Sequence, residues 1–143
     1  MTAKEYLSEI TRIDRRIDRR LTLRQEYWDK ATKATSCPSF TPKAKGNHSP
    51  IEYFVAKIID LEKEIDREVD ALVDRRRAAQ RVIESIPDHR YRDILELRYL
   101  HGAKWEIVME DMHYERSRIY ELHGLALKAF QKKADETGLL TVV

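Results

Sequence analysis

KWEIVMEDMHYERSRIYELHGLALKAF, residues 104–130, contains two helical periods separated by a single break. Lys104 to Met112 places Trp105, Val108, Met109 and Met112 on one face, a helix of about two to three turns that could not persist alone. After His113 and Tyr114, the segment from Glu115 to about Lys133 sets Ile119, Leu122, Ala126 and Phe130 on one side at three- and four-residue spacing. Two such helices joined by a short turn must share a core, which is the plan of a helix-turn-helix. The polar side of the longer helix carries Arg116, Ser117, Tyr120 and Glu121 near its start, with Arg118 flanking. That end is expected to point outward, where a recognition helix meets base edges.

Immediately upstream, Tyr91, Ile94, Leu95, Leu97 and Tyr99 predict a further short helix that stops at His101 and Gly102, where glycine can take a left-handed end. Pro87 marks where this unit begins, because proline cannot continue the helix before it. The three helices make a head spanning 87–136, followed by a tail at 137–143.

The first two thirds read differently. Tyr6, Ile10, Ile13, Ile17, Leu21, Arg24, Trp28 and Ala31 recur at spacings of three and four, and so do Ile51, Val55, Ile58, Leu61, Ile65, Val69, Leu72, Arg76, Ala79, Ile83 and Ile86. Each seam is narrow and almost everything else is charged, the pattern of a coiled-coil partner. Between them, Thr35 to Pro50 holds Pro38, Pro42, Gly46, Asn47 and Pro50, so residues from about 33 to 50 are expected to be a loop. Residues 1–86 therefore predict an antiparallel coiled-coil hairpin, and the fold class is all-α. Arg12, Arg15, Arg16, Arg19, Arg20 and Arg24 on the first helix would face Glu62, Glu64, Asp66, Glu68, Asp70 and Asp74 on the second. The arginine row reads first as the partner of those acids, with a phosphate-binding stripe as the other reading. Ion pairs of this kind set register, while the apolar seam holds the helices together.

Composition agrees with long charged helices: 42% apolar, 36% charged, and only four glycines and four prolines. The net charge of +2 excludes nothing and points to no strongly basic nucleic-acid binder. Cys37 is the single cysteine, which fits a reducing interior. The N-terminus offers no uncharged apolar run, so no signal peptide, membrane span or membrane partner is expected, and the cytoplasm is the expected location. His48, His89, His101, His113 and His123 fall in no ligand spacing, and no glycine-rich phosphate loop is present. No enzyme activity, metal or cofactor is expected.

Residues Tyr91 to Phe130 resemble the fourth region of bacterial sigma factors, a helix-turn-helix that reads promoter DNA. Ile94, Leu95, Leu97, Arg98 and Tyr99 stand where that pattern has a hydrophobic pair, an arginine and an aromatic. Trp105, Glu106 and Val108 match its first helix, and Arg116, Arg118, Ile119, Ala126 and Leu127 its second. His113 occupies the turn position where the pattern has glycine, Met109 a position usually small, and Glu115 the place of a Ser or Thr cap. Over the whole chain, including Tyr6 to Arg20 and Val55 to Glu62, the sequence is similar to small phage and prophage late-gene regulators of the RinA and ArpU type. That resemblance implies an activator of packaging and morphogenesis genes in a bacterial host cell, with double-stranded promoter DNA and RNA polymerase as partners.

Arg116 is the expected base-edge reader, since its fork can bond guanine O6 and N7 together. Its other reading is a salt bridge to Glu115 or Glu121. Ser117, Tyr120 and Glu121 would follow on the same face, with Lys104 and Arg118 contacting phosphates. Trp105, Met109, Met112, Ile119 and Leu122 read as core. Gly124, inside the recognition helix, predicts close backbone packing or a bend. From Pro87 to Val143 there are nine Lys and Arg against ten Asp and Glu. So nearly neutral a head needs two copies on one duplex, a polymerase contact, or help from Arg20, Lys43 or Lys45. A homodimer is the expected state. Two other functions stay open: a polymerase-binding adaptor without strong DNA affinity, and a small terminase-like packaging subunit.

Overall fold

A computed structural model describes residues 1–36 and 50–140, with side-chain surroundings for 1–33 and 50–140. Cys37, Lys43, Lys45 and most of the expected loop lie outside the described residues. Every element is helical: α1 (Ala3–Ser36), α2 (Pro50–Glu84), α3 (His89–Leu95) continued by a π-helical turn (Glu96–Leu100), α4 (Trp105–Met112) and α5 (Arg116–Thr137). There are no strands among the described residues, and no helix among them is long and apolar enough to cross a membrane. Helix α1 runs to Ser36, past the expected loop boundary near 33. Pro50 belongs to α2 as its first residue, where its fixed φ and missing N–H cost nothing.

Local chemistry explains the helix ends. Thr2 and Glu5 form a capping box: the Glu5 N–H donates to Thr2 Oγ1 at 3.2 Å and the Thr2 N–H to Glu5 Oε2 at 2.8 Å. Asp88 caps α3 by accepting from the Arg90 N–H at 2.9 Å. Its carboxyl also meets the Arg90 guanidinium, which holds it down at about 2. Gly138 closes α5 in the left-handed region at φ 73, and the helix runs to Thr137, four residues beyond the expected end at Lys133.

The chain divides into two compact units, Met1–Ile13 with Leu72–Val143, and Asp14–Ala71. In the second, α1 and α2 run antiparallel, as the cross-helix pairs Arg16–Glu68, Arg20–Glu64 and Arg24–Glu62 require. Ile17, Ala31, Ile58, Leu61 and Ile65 are buried in its seam, with Leu21 half-buried. Three expected seam positions are exposed instead: Trp28 at 47%, Val55 and Val69. Tyr27, one residue before Trp28, carries the aromatic packing, its ring 6.1 Å from that of Phe54. Among the described residues this unit has only two helices, so a side chain on the flank of the seam stays open to solvent.

The first unit holds the expected head together with the first turns of α1 and the last turns of α2. Ile94, Leu95, Val108, Ile119, Leu122, Ala126 and Phe130 are fully buried, and so are Leu7, Ile10, Ile83 and Ile86. Phe130 lies 6.4 Å from the Tyr6 ring, and Gln131 Oε1 accepts from the Ala3 N–H at 2.8 Å, satisfying a helix-start donor. Trp105, Met109 and Met112, expected as core, are half-buried at its margin. Gly124 departs from the first of its two expectations, close backbone packing. A Cβ built there meets nothing within 4 Å, and α5 passes through it unbroken, so no close packing explains it.

Candidate nucleic-acid interface

The turn between α4 and α5 is set by His113, which adopts the left-handed conformation at φ 59 and ψ 38. The Met109 carbonyl accepts from the N–H groups of both His113 and Tyr114, which closes α4 and leaves three residues before α5 begins. Glu115 then starts α5 in extended geometry and its side chain makes no capping hydrogen bond. The fixed turn leaves the N-terminal turns of α5 with Ile119 and Leu122 buried below and a polar edge above.

On that edge, the Arg116 guanidinium is 54% exposed and reaches two neighbours. Its Nη1 donates to Tyr120 Oη at 3.2 Å, and Nη2 lies 3.5 Å from Glu106 Oε1. Neither Glu115 nor Glu121 is its ion-pair partner; that place belongs to Glu106, across the turn in α4. Tyr120 is 43% exposed and packs edge-on against Trp105 at 5.4 Å between ring centres. Ser117 is exposed, and Arg118 pairs with Glu121 at 3.2 Å along the helix. Lys104 is exposed at the start of α4, its carbonyl accepting from Ile107 and Val108 and its charge acting on Glu106. Arg116 and Tyr120 are therefore brought together, Arg118 and Glu121 form a neighbouring pair, and Lys104 bonds to neither but acts on Glu106.

Behind the edge lies a second layer, of which the spacing of apolar residues gives no sign. Arg98 sits 4.5 Å over the Trp105 ring and donates to the Ala103 carbonyl at 2.9 Å. His123 packs edge-on against Trp105 at 4.8 Å and stacks on Tyr99, whose hydroxyl is 2.7 Å from His123 Nε2. Burial pushes the Tyr99 hydroxyl up to about 12, against the pull of Arg98. Burial, then Lys4 and Arg98, bring His123 down to about 4, so the ring is neutral at physiological pH. The Glu106 carboxyl is held below its ordinary value by its own backbone N–H and by Arg116. Among the described residues no group of three or more His, Cys, Asp or Glu side chains could hold a metal ion.

Such an edge is suited to contacting a charged, hydrogen-bonding surface: an arginine fork steadied by a tyrosine, on a helix whose turn is fixed by backbone bonds. The fold is thus that of an all-α protein with a helix-turn-helix head. Residues 43–131, more than half of the chain, match DUF1492, described as "Protein of unknown function", and the chain belongs to that family. No curated protein and no solved structure matches it.

Proposed function

We propose that this chain is a sequence-specific DNA-binding transcription regulator, an activator of late phage genes of the RinA and ArpU type, reading promoter DNA with the N-terminal edge of α5. One observation carries the reading. Arg116, Ser117 and Tyr120 are solvent-facing on the first turns of a helix whose opposite face is fully buried, beyond a turn fixed by His113. A major groove accepts a helix presented in that way, and an arginine there can discriminate guanine by about 1–3 kcal/mol. Lys104 and Arg118 take the phosphate-positioning roles. The regulator acts as a homodimer in the bacterial cytoplasm, without catalysis or cofactor, and contacts RNA polymerase.

Selection of bound fragments from genomic DNA, followed by footprinting, tests this directly. Arg116→Ala should flatten the preference among fragments by roughly tenfold or more, in keeping with that discrimination. Unchanged preference would remove Arg116 as the reader. The polymerase-adaptor reading draws on Ile107, which is 53% exposed on α4 within a nearly neutral head. Polymerase capture by the purified chain with no DNA present, lost in Ile107→Glu, would favour it.

A further inference from the structure

The hairpin unit bears a cationic groove, and its arginines are not equivalent. Of the six arginines on α1, Arg12 pairs with Glu9, Arg16 with Glu68, Arg20 with Glu64 and Glu68, and Arg24 with Glu62. Arg20 is therefore committed to two carboxylates and is not the reserve of positive charge that the sequence suggests. Arg15 and Arg19 are exposed and have no ion pair among the described residues, and the same holds for Arg67 on α2.

Two adjoining grooves, of about 300 and 410 Å³, cross the seam between the helices and share Arg20 and Glu64. Arg19 lines one and Arg67 the other. Four arginines and two glutamates therefore line the pair, with Leu23, Leu61 and Ala71 as apolar floor and rim. The glutamates neutralise Arg16 and Arg20 and hold their long side chains in place. Arg19 and Arg67 remain as uncompensated guanidinium groups, one on each helix, flanking a neutral centre.

We propose that this groove is a second, sequence-independent DNA contact, in which Arg19 and Arg67 bind phosphates of the duplex backbone. A single carboxylate could satisfy only one of two cations held on separate helices, whereas a backbone offers anions at regular intervals. The guanidinium fork suits phosphate oxygens, and each contact releases counterions. The need is visible in the head, where ten acidic residues outnumber nine basic ones. The inference rests on the reading of the chain as a DNA binder and assigns the non-specific share of affinity to the hairpin, leaving Arg116 to choose the site.

The test uses the full chain and fluorescence anisotropy with a random-sequence duplex of about 30 base pairs and with the selected fragment, each over a salt series. Arg19→Ala with Arg67→Ala should weaken binding to both duplexes and make the log–log salt slope shallower by about two, roughly 0.9 per lost contact. The double lysine variant should keep most of the slope, and Arg12→Ala, whose partner is Glu9, should change it by less than one. Arg116→Ala should reduce the preference for the selected fragment by roughly tenfold or more while sparing the slope on the random duplex. A double alanine variant that keeps the wild-type slope, or a double lysine variant that falls as far as the alanine one, overturns the groove assignment and leaves the reader intact. Wild-type protein that binds neither duplex overturns the DNA reading and the groove together.

Discussion

Tyr99 and His123 meet at 2.7 Å, hydroxyl to Nε2, and join the π-helical turn before α4 to the middle of α5. The ring also lies against Trp105, so one neutral imidazole touches both sides of the helix-turn-helix. Its Nε2 can accept from the tyrosine only while unprotonated.

Stability should accordingly depend on pH between the ordinary histidine value and about 4. In that window the unfolded chain binds a proton that the folded chain refuses, so stability is complete above the unfolded value and falls as pH drops, levelling off below about 4. With the ring only half-buried and solvent screening allowed for, the loss is on the order of 1–2 kcal/mol. Urea melts at pH 7 and pH 4.5 measure it against His123→Gln, which should lose this part of the slope. Equal slopes in the two proteins would show that the imidazole is not the titrating group.

Gly124→Ala should stabilise the protein by about 0.5–1 kcal/mol, since the added methyl meets no atom within 4 Å and the position is inside a continuous helix. Chemical denaturation gives the value. A destabilised variant would mean that the backbone at Gly124 is not ordinary helix in solution.

Glu115 starts α5 without a side-chain hydrogen bond, so Glu115→Ser should recover a cap. The gain is about 0.5–1 kcal/mol, reduced by the lost attraction of the carboxylate to the helix start. Removing a negative charge one residue before Arg116 should also raise duplex affinity in the same preparation. Tighter binding with unchanged stability would assign the effect of Glu115 to charge alone.

In the hairpin unit, Ile65→Ala should cost about 2–4 kcal/mol because the residue is buried in the seam. Glu64→Gln, which breaks a part-exposed pair with Arg20, should cost at most about 1 kcal/mol. Denaturation midpoints compare them, and a larger loss for Glu64→Gln would mean that ion pairs, and not apolar burial, hold the helices.

Periodicity located all the helices, because burying one face of a helix forces apolar residues to recur every three or four positions. The opposed charge rows on α1 and α2 likewise foretold that ions would pair across the seam, and packing chose which, Arg16–Glu68 and Arg20–Glu64 among them. The left-handed His113 stands where the sigma-like pattern has glycine, so there it was the resemblance that pointed to the conformation. Periodicity could not separate Trp28 from Ile17: both lie in the same stripe, yet one is exposed and the other buried. Nor could spacing identify Glu106 as the partner of Arg116, or bring Tyr99 to His123, because each pair is formed by how two helices cross. The Thr2 and Glu5 capping box was present in the sequence as Thr-x-x-Glu and was a usable sign of where α1 begins.

What the chain's sequence fixes alone is local: which segments are helical, which side of each is apolar, where glycine and proline end them, and which rows of charge oppose. Tertiary packing decided the rest. It set Phe130 against Tyr6 and Gln131 against the start of α1, and it left Arg19 and Arg67 uncompensated while Arg20 took two glutamates. The physical reason is range. A helix is specified by contacts three and four residues apart, whereas a contact across more than a hundred residues exists only after the elements have found their mutual positions.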